Sequence, residues 1–313
     1  KSNSSLETVL PSFLVFGASG MVGDFLLPPL GKHGPVLAIS RNARVTVQAE
    51  AGIQWQCGDL GGEMPPLPAC DVVFSLGPLD AFSAWFARAA PASVRRVVAL
   101  GSMSAESKRD SVDATERALS ERLCHAETQL MEAARARRVG CTIFRSTLIY
   151  GSGRDRSLAP IARWARRWRV LPIPRGAAGL RQPVHARDLA AACLAVADNE
   201  STYGKIYPMG GGERLRFDDM LRRIALGPPR LAWPLPIPLP LLRALARGRV
   251  GAGALARLTA PLIADNSAAA RDFGYAPCAF RAQDALVAQS CRRPIDDGES
   301  KGEDACGDEG DAA

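Results

Sequence analysis

The chain has 313 residues, 47% of them hydrophobic and 23% charged, which is soluble globular composition and enough chain for one large α/β unit with a smaller lobe. Its net charge of +7 and pI of about 9.2 come from arginine; the lysines are Lys1, Lys32, Lys108, Lys205 and Lys301 alone. No apolar run is long enough to cross a bilayer, and no nucleic-acid-binding module is recognisable.

Residues Lys1–Ser5 hold no signal-peptide core, so a cytoplasmic location is expected. Eight cysteines without C-x-x-C spacing read as reduced, mostly buried thiols. Three histidines, His33, His125 and His185, argue against a histidine-based metal centre.

In chain order, strands are predicted at 13–16, 36–40, 53–57, 72–76, 97–100 and 142–144. Helices are predicted at 81–90 and 112–139. This alternation predicts a parallel sheet covered on both faces: α/β, a Rossmann-type doubly wound sheet with a smaller C-terminal substrate lobe. Pro28-Pro29 should end or kink the first helix.

Directly behind Phe13–Phe16 stands Gly17-Ala18-Ser19-Gly20-Met21-Val22-Gly23. Glycines at i, i+3 and i+6 between a strand and a helix leave bare amides at a helix start, where a phosphate is favoured. The second strand ends in Ser40-Arg41-Asn42, with Arg44 close by. An acid there would bind a ribose 2′-OH; an arginine pairs with a 2′-phosphate, which favours NADP over NAD.

Gly151-Ser152-Gly153 reads as a flexible break. Beyond it come a strand at 182–185, a helix at 188–197, a strand at 205–209, a glycine turn at 210–212 and a helix at 217–226. Asp188 reads as the N-cap or first-turn acid of its helix, and His185 as a packed strand residue. In Arg163-Trp164-Ala165-Arg166-Arg167-Trp168-Arg169, a helix with tryptophans inward and arginines outward competes with a grip on an anionic substrate or surface. The proline-dense stretch 231–240 reads as a packed, irregular wall of the lobe, with a membrane-touching or partner-binding loop as the alternative. Residues 294–313 read as a disordered acidic tail.

Five blocks in order resemble the extended or atypical short-chain dehydrogenase/reductases, the NAD(P)-dependent epimerase/dehydratase family. They are the glycine turn, Gly58-Asp59-Leu60, Ser75-Leu76-Gly77-Pro78, Arg145-Ser146-Thr147-Leu148-Ile149-Tyr150-Gly151, and Gly179-Leu180-Arg181-Gln182-Pro183-Val184-His185 leading into Asp188-Leu189-Ala190. The resemblance covers roughly residues 10–290. It implies an NADP-binding core over 9–150 and a substrate lobe over 151–293, with 181–209 returning to the core. It places the cofactor on Gly17, Ser19, Gly20, Met21, Val22, Gly23, Ser40, Arg41, Asp59, Leu60, Leu76 and Gly77. It implies a substrate resembling a nucleotide sugar, held by Tyr150 and Arg181, and a homodimer through the helices at 81–90 and 112–139.

One departure is central. The family's chemistry rests on Tyr-x-x-x-Lys, followed by an alanine-glutamate pair. With Ala126-Glu127 in that place, the tyrosine position holds Leu119 and the lysine position holds Leu123. Leucine exchanges no proton. Ser102, Ser104 and Lys108, beyond the fifth strand, are the candidate replacements; for Lys108 a plain surface-loop role is the alternative. The sequence thus points to an NADP-dependent oxidoreductase or epimerase-like enzyme with an altered catalytic set, acting on an anionic carbonyl or hydroxyl substrate. A noncatalytic NADP(H)-binding regulatory or scaffold protein is the alternative.

Overall fold

The computed structural model describes residues 12–41, 52–227, 230–238, 241 and 258–285. Asn42, Arg44, Cys291, Cys306 and the acidic tail lie outside them.

Seven parallel strands form the central sheet, in the order β11-β6-β5-β4-β1-β2-β3. They are β1 (Phe13–Phe16), β2 (Val36–Ser40), β3 (Ile53–Cys57), β4 (Val72–Ser75), β5 (Arg96–Ser102), β6 (Gly140–Ser146) and β11 (Lys205–Met209). β2 and β4 are buried along their whole length, as a sheet covered on both faces requires. Helix α1 (Gly23–His33) packs with α6 (Ala186–Val196) on one face; α2 (Leu79–Ala89) packs with α4 (Ala114–Ala136) on the other. The chain reverses its strand order between β1 and β4, and in such sheets a crevice opens there at the carboxyl ends of the strands.

Contrary to expectation, α1 runs unbroken through Pro28 and Pro29. Two intrahelical donors are lost, yet Leu26, Leu27 and Leu30 are fully buried against the sheet, and that packing outweighs local propensity. At the amino end of the sheet, Arg96 is buried and donates to the Val196 carbonyl (2.8 Å), Thr142 Oγ1 (2.8 Å) and Thr202 Oγ1 (2.9 Å), tying β5, β6 and the end of α6 together.

A second core gathers Tyr150, Leu158, Ala162, Leu171, Ile173, Met220, Leu221 and Phe280. It lies among α5 (Leu158–Trp168), α7 (Phe217–Leu226) and a two-stranded parallel ribbon of β8 (Val170–Arg175) and β13 (Trp233–Pro238). Two short pairings complete the lobe: β7 (Ile149–Tyr150) with β10 (Val184–His185), and β9 (Leu180–Arg181) with β12 (Leu215–Arg216). The remaining helices are α3 (Ser104–Ser107) and α8 (Ser267–Phe273).

Of the stretch expected to be an irregular wall, residues 233–238 are an ordered strand, and 239–240 lie outside the described residues. The strand's prolines, Pro234, Pro236 and Pro238, fall on alternate residues. The Trp233 N–H donates to the Arg169 carbonyl (2.8 Å), so Leu235 and Ile237 present their N–H groups to β8 as well, and the prolines stand on the side that needs no donor. Pro172 and Pro174 of β8 alternate in the same way.

Gly151-Ser152-Gly153 is a packed turn instead of a loose break. Ser152 is buried, and Gly151 has φ +110° with the His185 ring where a side chain would begin. His185 caps α6, accepting the Arg187 N–H on Nδ1 at 3.0 Å. Asp188 is the first-turn acid and accepts the Cys278 N–H at 2.9 Å.

Candidate functional site

At the carboxyl ends of β1, β2, β3 and β4 lies a cavity of about 340 Å³. Its lining includes Gly17, Ser19, Gly20, Ser40, Arg41, Asp59, Leu60, Leu76 and Gly77, nine of the residues expected to hold a cofactor. Gly17 has φ +68°, and a side chain there would meet the Gly77 nitrogen at 2.8 Å, so the two loops can close on each other only through glycine. Ser19 and Ser40 bridge the turn and the end of β2, their hydroxyls 2.9 Å apart. Asp59 orders its own loop, accepting the Gly61 N–H at 3.1 Å, and remains exposed. Arg41, at the cavity edge, is exposed.

Met21, Val22 and Gly23 do not line this cavity. Val22 and Gly23 are buried where α1 begins, and a Cβ on Gly23 would stand 1.9 Å from the Ala18 carbonyl oxygen. That third glycine closes the helix onto the turn. Phe16, Ile39 and Ala81 line the cavity without having been singled out, and Gly58 and Pro78 line it beside the expected residues of their motifs. Phe16 and Ile39 are strand-end residues, and the strand assignments alone were enough to find them. Arg154 is a different omission. It ion-pairs with Asp24 and donates to the Ser19 carbonyl at 3.1 Å, bringing a cation to the glycine turn from the loop before α5. No local pattern links positions so far apart in sequence.

A second cavity, of about 540 Å³, opens at the carboxyl end of β5 against the lobe. Ser104, Lys108, Glu116, Leu148 and Arg181 line it, with residues 260–262. Lys108 Nζ lies 3.3 Å from Glu116 Oε1, and both side chains are largely shielded from solvent. The Ser111 hydroxyl donates to the other Glu116 oxygen at 2.8 Å. Ser102 is just outside this cavity; its Oγ accepts the Ser104 N–H at 3.1 Å and shapes the turn that presents Ser104. Arg181 is buried, donates to the carbonyls of Leu180 (2.9 Å) and Ala260 (2.7 Å), and lies 5.2 Å from the Phe217 ring centre. Burial lowers its guanidinium pKa from the ordinary value.

Tyr150 is not brought to either cavity. It is fully buried in the lobe core, its hydroxyl accepts the Arg281 N–H at 3.0 Å, and burial pushes its pKa up to about 12. Its ring meets His185 edge-on at 5.1 Å, and His185 in turn meets Phe25 at 5.4 Å.

An ion pair ties α4 to the sheet. Arg145, on β6, donates through Nε (2.8 Å) and a terminal nitrogen (2.6 Å) to the two oxygens of buried Glu127. Glu116 faces the second cavity eleven residues earlier on α4, so Leu119 and Leu123 fall on the helical stripe between them. Both are partly buried.

No family model matches the chain, and no curated protein matches it by sequence. Solved structures do match. MoeE5 in complex with UDP-glucose and NAD has a TM-score of 0.66 and 17% identity, over 88% of this chain and 96% of that one. The fold is that of UDP-sugar epimerases. UDP-glucuronic acid 4-epimerase from Bacillus cereus, in complex with UDP-glucuronic acid and NAD, has a TM-score of 0.63 and 14% identity, over 88% and 96% of the two chains. Epimerase Mth375 from Methanothermobacter thermautotrophicus has a TM-score of 0.66 and 16% identity, over 89% and 91%. Among the described residues no helix is long and apolar enough to cross a membrane, and no cluster of His, Cys, Asp or Glu is placed to hold a metal ion.

Proposed function

We propose that this chain is an NADP-dependent oxidoreductase or epimerase-like enzyme whose proton-handling groups are Ser104 and Lys108 in place of a tyrosine–lysine pair. The nucleotide-binding core would span 9–150 and the substrate lobe 151–293. The single observation that carries the reading is that Ser104, Lys108, Glu116 and Arg181 line one cavity at the carboxyl edge of the sheet that also holds the cavity beside the glycine turn.

In this reading the amides of the glycine turn would hold the pyrophosphate of NADP, and Arg41 its 2′-phosphate. When bound, the nicotinamide exchanges a hydride with a carbinol or carbonyl carbon of the substrate. The Ser104 hydroxyl donates a hydrogen bond to the reacting oxygen. Lys108, paired with Glu116 in a largely water-shielded position, gives or takes the proton. Arg181 supplies positive charge for an anionic substrate resembling a nucleotide sugar. Leu119 and Leu123 lie on α4 between Glu116 and Glu127, where the resemblance would put the tyrosine and the lysine.

The close Lys108–Glu116 ion pair favours a second reading, in which the chain binds NADP(H) as a sensor or scaffold and turns nothing over. NADPH consumption, or NADP reduction, measured against nucleotide sugars and simple ketones separates the two. Turnover that falls about a hundredfold in Ser104→Ala and Lys108→Ala supports the enzyme reading. Saturable NADPH binding with no turnover on any substrate favours the sensor, and turnover indifferent to both substitutions removes these residues from the mechanism.

A further inference from the structure

One corner of the lobe presents an aromatic, arginine-rich surface that the dinucleotide reading does not use. The tryptophans of α5 point outward, the reverse of the arrangement a buried-tryptophan helix would give: Trp164 is 52% exposed and Trp168 58%. On β13, Trp233 is 62% exposed and Leu235 46%. What α5 buries instead is Leu158, Ala159, Ala162 and Ala165.

These side chains form a continuous patch. The rings of Trp164 and Trp168 are 5.7 Å apart. Trp168 is followed by Arg169, whose carbonyl receives the Trp233 N–H. Val170, itself exposed, is the register partner of Trp233, and Pro172 that of Leu235, so the four stand on the same outer face of the ribbon while Leu171 and Ile173 point into the core. Arg167 lies over the Trp168 ring at 5.4 Å, and Arg230 over the Trp233 ring at 4.8 Å.

The chain segments that build the patch carry charge of one sign. Residues 156–187 contain no Asp or Glu, and neither do residues 220–264. The nearest acids on the helix packed beneath, Asp218 and Asp219 of α7, are engaged by Arg216 (3.0 Å) and Arg222 (2.6 Å). Alternate prolines leave the outer edge of β13 without N–H donors and that of β8 with Val170 alone, which disfavours an added strand as the occupant. An acidic, apolar-accepting surface remains. Tryptophan has an apolar body and one polar N–H, and settles at the boundary between lipid headgroups and acyl chains; arginine beside it pairs with lipid phosphate.

We propose that this corner, built from Trp164, Trp168, Val170, Trp233 and Leu235 with Arg166 and Arg167, docks the protein peripherally on an anionic lipid bilayer. The inference is independent of the catalytic reading, because no patch residue lines either cavity.

The test is co-sedimentation of the full chain with phosphatidylcholine vesicles, with and without phosphatidylglycerol. The expected result is pelleting with the anionic vesicles only, falling as salt is raised, with a blue shift in tryptophan emission. Trp168→Ser with Trp233→Ser, and separately Arg166→Glu with Arg167→Glu, should each weaken that binding about tenfold or more while thermal unfolding stays as in the parent. All four side chains are exposed, so the folded state tolerates their change. Absence of pelleting overturns the proposal, as does unchanged pelleting of both folded variants. A dimer that the tryptophan variant abolishes, or retention on RNA, without vesicle binding would overturn it in favour of a protein or nucleic-acid partner.

Discussion

At the scale of single residues, His185 is a structural side chain. Its ring is buried between Phe25 and Tyr150, Nδ1 caps α6, and Nε2 lies 3.6 Å from Asp284 Oδ2. Burial lowers its pKa from the ordinary value near 6.5; Asp284 and Asp188 pull it up, Arg187 and Arg281 down, and burial is the largest effect. The unfolded chain therefore takes up this proton more readily than the folded one. Stability tied to neutral His185 is complete above about pH 6.5 and is lost as pH falls through the folded-state value. Urea midpoints measured from about pH 7.5 to about pH 5 should fall more steeply for the parent than for His185→Asn, which keeps a capping acceptor and cannot titrate. Parallel pH profiles would contradict this account. The sequence identified His185 as packed because it ends a short apolar strand. It did not reveal the cap, because capping depends on the turn geometry after Pro183.

At the scale of elements, α4 holds Leu119 and Leu123 where the family resemblance would put a tyrosine and a lysine. Glu116 faces the second cavity, Glu127 holds Arg145, and Leu119 and Leu123 occupy the stripe between. If that stripe borders the reacting atoms, Leu119→Tyr with Leu123→Lys reinstates a proton relay. The expected result is kcat raised at least tenfold on a nucleotide sugar that the parent turns over, with a new pH dependence in the profile. A folded double variant with unaltered kcat and pH profile would place the stripe away from the chemistry.

That reading of Leu119 and Leu123 rests on the sequence alone: no Tyr or Lys stands between Arg109 and Thr147, so no register set on Glu127 supplies one. Two elements were not legible there. Helix α1 tolerates Pro28 and Pro29 because of burial that only the folded sheet supplies. The outward tryptophans of α5 contradict the usual amphipathic pattern, since alanines and Leu158 form the packed stripe and tryptophan alone would be expected to seek it.

At the scale of the whole molecule, topology explains why most of the first cavity's lining was legible. A parallel sheet that reverses its strand order between β1 and β4 must open at their carboxyl ends, and residues at strand ends are fixed once the strands are assigned. Gly17, Ser40, Asp59 and Gly77 therefore converge although the chain separates them. The second cavity was less legible. It depends on Arg181 and residues 260–262 meeting α3 and α4, contacts that no local period encodes. Tyr150 shows the cost of extending a motif past the sheet, for the β7–β10 pairing turns it into the lobe core.

The central claim, that the crevice holds NADP through the glycine turn and Arg41, is tested most directly by fluorescence titration of the full chain with NADPH and with NADH. The account predicts saturable binding of both with NADPH tighter by about tenfold or more, and loss of that preference in Arg41→Asp. Failure of either dinucleotide to bind, or an NADH preference unchanged by Arg41→Asp, would contradict it.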